Sequence, residues 1–493
     1  MRSKKRASNP SYVSPSQLGI SGFQTPFSNT LDPENRWVKM AHIIPWDLLV
    51  SIYNKQMRTG GRPGLNPRIV IGSLLIKHLC NLSDRETIEH IQENIYMQFF
   101  LGYSSFKKDA PFDPTLFVEI RDRLGMEGVN AMNDAIMKAS GAIREATESK
   151  NNDKEEDADE PGNKGRVLFD ATICPQDIGY PTDLGLLNEA REKTEQIIDI
   201  LYDSKLHNKK PRTYRVKARK IYLSIAKKKI KHRKVVRKAI GKQLRFLKRN
   251  LASIDKLLDC TENLIALTRT EHKYLMVAHT LYQQQKEMFD KRVNSIEDRI
   301  VSIHQPHVRP MKRGKARADT EFGAKINVAL VNGFAFLDEL SWDAFNEGKH
   351  LVNYLDQYKN RFGYYPKEVL ADKIYCNRDN RAYMKERKIK LLSKPLGRPS
   401  AVREHVSPGE RNPIEGKFGQ AKTTYGMDRI KARLKDTSQT WIAMILMVTN
   451  LVKLTRSIPY SLIKMIVAFS ARLEIAWERK PKKICRIVYQ AGI

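Results

Sequence analysis

The chain has 493 residues, long enough for about three domains. Its 87 Lys and Arg against 55 Asp and Glu give a formal charge of +32, which calls for a polyanionic partner. Hydrophobic residues at 41% exclude a wholly disordered chain.

Cys80, Cys174, Cys260, Cys376 and Cys485 are scattered with no CxxC pair, against a disulfide framework or structural zinc and in favour of a reducing cytoplasm. The basic N-terminus MRSKKRASNPSYV has no apolar segment behind it, so no signal peptide is expected. The uncharged apolar stretch Thr437 to Val452 is shorter than the roughly 20 residues of a membrane span. A soluble protein with no membrane partner is expected.

Residues 1–35 are rich in Ser, Pro and Asn and suggest a flexible arm. Residues 36–141 carry helical periodicity and are expected to form an all-α N-terminal domain for DNA binding or dimerisation. Within it, PRIVIGSLLIKHL has a Pro at its start and apolar residues three and four apart. After the turn CNLSD, Ser83 and Glu86 make a capping-box pattern before the next periodic segment. Two short helices across a tight turn suit a helix-turn-helix and a plain helical bundle equally. Residues 142–165 are acidic, end near Pro-Gly and are expected to be a linker.

A strand is predicted at VLFDA from Val167, followed by a basic helical insertion over about 186–318. From Lys205 to Arg249 there is no acidic residue, while interleaved Ile, Leu, Val and Phe supply an apolar face. An ordered helix that tracks phosphates is expected there, with Lys227, Lys228, Lys229 and Arg233 among its DNA contacts. Strand signals return at Lys325–Val331 and Phe334–Leu340 around Asn332-Gly333, a strong hairpin signal. Helix, strand, helix and strand follow, then helices at Asn412–Thr424 and Thr437–Leu454. Residues 456–493 are a C-terminal tail. With the insertion set aside, residues 166–455 have the element order of an α/β ribonuclease H-like catalytic domain.

Three acids stand out. Asp170 and Asp372 each end an apolar run, which places their carboxylates at the carboxyl end of a strand, where active groups collect in open α/β sheets. Glu415 opens a basic helix, where an acid also suits the first turn. Like charges brought that close favour divalent cations between them, the arrangement of two-metal phosphoryl transfer. Asp177 is a weaker alternative to Asp170. Asp183 reads as a helix N-cap and Asp379 as a helix-start residue.

Arg411, three residues, Glu415, six residues and Lys422 resemble the signature around the catalytic Glu of DDE transposases in the IS4/IS5 superfamily. DATICPQDIGYPTDLGLLNEAREKTE is similar to the first-Asp block of IS5/IS1182-like elements. GRPGLNPRIVIGSLLIKHL and LSDRETIEHIQENIYMQFFLG are similar to their N-terminal helical domain. The signature's Tyr ahead of the Arg has no counterpart in HVSPGE.

The resemblance implies that Asp170, Asp372 and Glu415 are catalytic metal ligands for Mg²⁺, with Mn²⁺ as substitute. It implies that Arg411, Lys417 and Lys422 hold DNA phosphate. The substrate would be double-stranded DNA at the element's terminal inverted repeats and at the target, cleaved and then joined by strand transfer. A homodimer or larger assembly on the nucleoid of a bacterial cytoplasm is expected. A nuclease of this fold without strand transfer, or a catalytically inactive DNA-binding descendant, are the alternatives.

Overall fold

The computed structural model describes residues 12, 26–27, 31–57, 64–141, 162–259, 267–315, 318–392 and 408–457. Most of the expected arm and of the acidic linker, and nearly all of the C-terminal tail, lie outside the described residues.

From Arg36 the described residues form six helices: α1 (Arg36–Ile43), α2 (Trp46–Lys55), α3 (Pro67–Leu79), α4 (Asp84–Glu93), α5 (Ile95–Phe100) and α6 (Leu116–Ala139). Local chemistry sets their starts. Asn66 accepts from the Arg68 amide ahead of Pro67, and both bonds of the Ser83–Glu86 capping box form at α4. α3 is buried on nearly every side, and α4 turns Arg85, Glu86, Glu89, His90 and Glu93 outward. Three of the five outward residues of α4 are carboxylates, while the apolar residues of α3 pack into the shared core.

The sheet has six strands: β1 (Arg166–Pro175), β2 (Pro310–Lys315), β3 (Ala318–Val331), β4 (Phe334–Ser341), β5 (Glu368–Ala371) and β6 (Lys390–Leu392). Its order is β2-β3-β1-β5-β6, with β4 also on β3. β1 is antiparallel to β3 and parallel to β5, and β5 is parallel to β6. Asn332 (φ 49°) and Gly333 (φ 77°) turn β3 into β4 with positive φ at both positions, the reason this dipeptide signals a hairpin. β2 lacks apolar alternation and is not among the expected strands. Its Pro and Lys residues suit the sheet edge where it lies.

Between β1 and β2 stand α7 (Asp183–Leu201), α8 (Arg215–Ala226), α9 (Arg233–Asp259) and α10 (Arg269–Lys291). They enclose their own core, including Leu187, Ile198, Leu247, Ile254, Ala278 and Leu281. The single long basic helix expected here is broken: Lys227 to His232 form an exposed turn between α8 and α9. Six consecutive residues with four Lys, one His and no acid give a helix only repulsive neighbours at three- and four-residue spacing. Thr182, not Asp183, caps α7, and Asp183 instead pairs with Arg299 at 2.7 Å.

After β4 come α11 (Glu347–Phe362), α12 (Arg378–Glu386), α13 (Asn412–Tyr425) and α14 (Lys435–Ser457). One hydrophobic core runs from Trp37 to Leu454, so the N-terminal helices and the sheet share an interior. Ion pairs seal that junction. Arg121 and Lys77 both pair with Asp84 (2.8 and 3.0 Å) and lie over Trp441 of α14. Arg361 bridges Asp134 of α6 and Asp338 of β4. No helix among the described residues is long and apolar enough to cross a membrane.

Candidate active site and basic surface

Phe169 of β1 pairs with Ala371 of β5, so Asp170 and Asp372 are the next residues along two parallel strands. Asp372 sits just past the end of β5, as expected. Asp170 does not end its strand. β1 runs on to Pro175 against β3, and Asp170, opposite Val328, marks only the end of its parallel pairing.

Arg411, just ahead of α13, spans the two carboxylates. Its Nη1 lies 3.1 Å from Asp372 Oδ1 and its Nη2 3.7 Å from Asp170 Oδ2. Burial pushes the Asp170 carboxyl up to about 6 despite Arg411, and the charges of Asp372 and Glu415 push the same way. Glu415 is exposed in the first turn of α13. Residues 411, 415 and 422 fall within about 40° of one another round a helix, so Arg411, Glu415 and Lys422 share the face turned to β1.

A buried polar layer holds the Asp372 segment. Asp372 accepts from the Lys373 amide at 2.8 Å, and Tyr375 donates to Asn327 of β3 at 2.7 Å. Asn377 and Asn380 both donate to the Gly348 carbonyl at the start of α11 (3.1 and 2.6 Å). Gly348 packs so closely that a Cβ there would lie 2.1 Å from the Ile374 carbonyl oxygen. Upstream, Arg166 pairs with Glu410 beside Arg411. None of Asn327, Gly348, Tyr375 or Asn380 carries a motif that sequence reasoning could use.

The three carboxylates suit a divalent cation by chemistry, and the Arg411 guanidinium already puts positive charge between two of them. Among the described residues, however, no three His, Cys, Asp or Glu side chains stand close enough together to ligate one ion. Arg411 offsets the repulsion between Asp170 and Asp372, and Asp372 is exposed.

The other expected contacts divide. Lys227, Lys228, Lys229 and Arg233 are exposed on the insertion's turn. Lys422 is half-buried on the Glu415 face. Lys417 lies apart from the Glu415 face: it is buried, donates to the Thr449 carbonyl at 3.1 Å, and is pushed down to about 7 by burial. Asp177 is held by Arg429 at 2.9 Å, away from the pair of aspartates.

Residues 26–123 match a family described as a transposase domain, and residues 369–452 match the transposase DDE domain. The second match contains Asp372, Arg411, Glu415 and Lys422, while Asp170 and the insertion lie outside both. An uncharacterized protein, ORF8 in the nfe locus of Rhizobium meliloti, is 31% identical over 160 residues, 32% of this chain and 71% of that protein. No solved structure matches. With both halves of the transposase pattern matched in order along one polypeptide, the chain belongs to the DDE transposases of the IS5/IS1182 type.

Proposed function

We propose that this transposase binds the terminal repeats of its own element as duplex DNA, cuts the phosphodiester at each end and transfers the freed 3′-hydroxyl to target DNA. The catalytic residues are Asp170, Asp372 and Glu415. The observation that carries the reading is the meeting of Asp170 and Asp372 across Arg411, with Glu415 one helical turn further on.

Mg²⁺, or Mn²⁺ in its place, is the cofactor that fits this donor set. Bound there, a divalent cation supplies Lewis-acid charge to the scissile phosphate and acidifies the attacking water. The chain's own residues do the rest. Asp170 and Asp372, fixed on neighbouring parallel strands, set the place of the reacting phosphate. Arg411, placed between the two aspartates, would donate two parallel N–H bonds to two oxygens of the scissile phosphate, a bidentate charge-assisted contact. Lys422, on the same helix face, holds the next phosphate as a point charge.

The sheet order supports a ribonuclease H-like catalytic domain over residues 166–455 with the basic insertion inside it. Residues 36–141 form the helical N-terminal domain that orients and pairs the protomers. The exposed turn at Lys227–His232, with Arg233 at the start of α9, tracks the DNA backbone. Pairing of two ends requires a homodimer or larger assembly, and the work is done on the nucleoid.

The test uses a duplex carrying the element's end, with Asp372→Asn and Glu415→Gln as variants. Each is expected to bind DNA as the wild type does and to lose at least about 10³-fold in cleavage. Retained cleavage in either variant refutes the assignment. Pre-cleaved ends separate a transposase, which joins them to target, from a nuclease, which does not.

A further inference from the structure

Behind α13, on the side away from Glu415, lies a groove of about 690 Å³ lined by Lys417, Gln420, Lys453, Arg456, Gly333 and Gly416 among others, none of them acidic. Lys417 and Gln420 follow Glu415 by two and five residues, about 140–200° round the helix, so this is a second surface and not the carboxylate site. Three cations converge there. Lys417 is 7% exposed, and the charge that acts on it is another cation, Lys453. A buried ammonium facing a second ammonium is unfavourable, and it is relieved either by loss of a proton or by an anion that comes between the two.

The lining is made of donors that suit such an anion. Lys417 gives one bond to the Thr449 carbonyl, while an ammonium has three to give. Lys453 is fixed in the wall by its bond to the Asn332 carbonyl. Arg456 is exposed at the rim, with a planar fork suited to two oxygens of one tetrahedral anion. The hairpin turn closes the wall: Gly333 packs on the Lys453 side chain, so that a Cβ there would strike its Nζ. Among the described residues the lining offers ammonium, guanidinium and amide donors and no carboxylate, a set chemically selective for phosphate oxygens.

We propose that the groove formed by Lys417, Lys453 and Arg456 is a phosphate-binding site distinct from the catalytic carboxylates. Its phosphate comes either from the backbone of bound DNA or from a small phosphate in solution. The first source rests on the DNA reading above; the second does not.

Two measurements on the full chain decide it, with wild type, the double variant Lys453→Gln/Arg456→Gln, and Lys417→Met. The melting temperature is followed with inorganic phosphate against chloride at matched ionic strength. Anisotropy titrations of a labelled mixed-sequence duplex across KCl concentrations give the salt slope. The wild type is expected to be stabilised by inorganic phosphate, and the double variant not. If DNA supplies the phosphate, the slope also becomes shallower by about 0.9 for each DNA phosphate that is no longer neutralised. A thermal shift abolished in the double variant, with an unchanged slope, identifies a small phosphate as the ligand. Equal thermal shifts and equal slopes in wild type and double variant overturn the site, whether or not Lys417→Met folds. A wild type that binds no duplex defeats the transposition reading, while the phosphate arm still decides the groove.

Discussion

Replacing Arg361 with Met probes how the N-terminal helices are fastened to the sheet. Arg361 pairs with Asp134 at 3.2 Å and with Asp338 at 3.4 Å, and its guanidinium lies over Phe336. Asp338 is fully buried, and burial pushes its carboxyl up to about 7 against the pull of Arg361. Burial raises Asp134 as well. An unfolded aspartate titrates near 3.9, so between about 4 and about 7 the folded chain holds this proton more tightly than the unfolded chain. Stability from this group is therefore greatest at low pH and falls as pH rises through that window, by up to about 4 kcal/mol.

Arg361→Met removes the cation and raises the Asp338 carboxyl further. At pH 8 the variant must ionise or protonate a buried, unpaired acid, at a cost of about 3–5 kcal/mol. At pH 5 Asp338 is protonated, and the loss is the guanidinium's packing on Phe336 and its contact with Asp134, together about 1 kcal/mol. At about 2 °C per kcal/mol for a body of this size, calorimetry should show a fall of about 6–10 °C at pH 8 and about 2 °C at pH 5. Equal falls at the two pH values would refute the reasoning, because the cost would then not lie in the Asp338 charge.

Gly348→Ala pushes a methyl group against the Ile374 carbonyl and displaces the Asp372 segment. Cleavage should fall by about 10²-fold with DNA affinity unchanged, measured by single-turnover assay and anisotropy. Arg411→Ala takes away the cation that spans Asp170 and Asp372. Mn²⁺ titrated by electron paramagnetic resonance without DNA should bind about tenfold tighter, roughly 1.4 kcal/mol, and cleavage should be abolished. Unchanged Mn²⁺ affinity would mean that Arg411 does not stand in the cation's place. Alanine at Lys227, Lys228, Lys229 and Arg233 together should weaken binding of every duplex alike and flatten the salt slope by about 0.9 for each phosphate these side chains neutralise.

How far each feature can be read from the sequence follows from how local its signal is. The Asn332-Gly333 hairpin, the Ser83–Glu86 cap and the acid after Glu368–Ala371 are legible because each depends on a few adjacent residues. The break at Lys227–His232 is not, because lysines do not interrupt helical periodicity and no Gly or Pro marks the turn. The burial of Lys417 is legible in its spacing with Ile414, Phe418, Ala421 and Tyr425, which places it on the buried face of α13 and away from Glu415. The Arg411 bridge joins residues far apart in the chain, 39 positions in the case of Asp372, and only the strand pairing of β1 with β5 brings them together.

The central claim is that Asp170, Asp372 and Glu415 share divalent cations at a DNA-cutting site. Anomalous diffraction from crystals of the full chain with duplex DNA and Mn²⁺ tests it most directly. The expected result is anomalous density in contact with all three carboxylates, with Arg411 turned away onto a phosphate. Arg411 still bridging Asp170 and Asp372, with Mn²⁺ bound elsewhere or not at all, would contradict it.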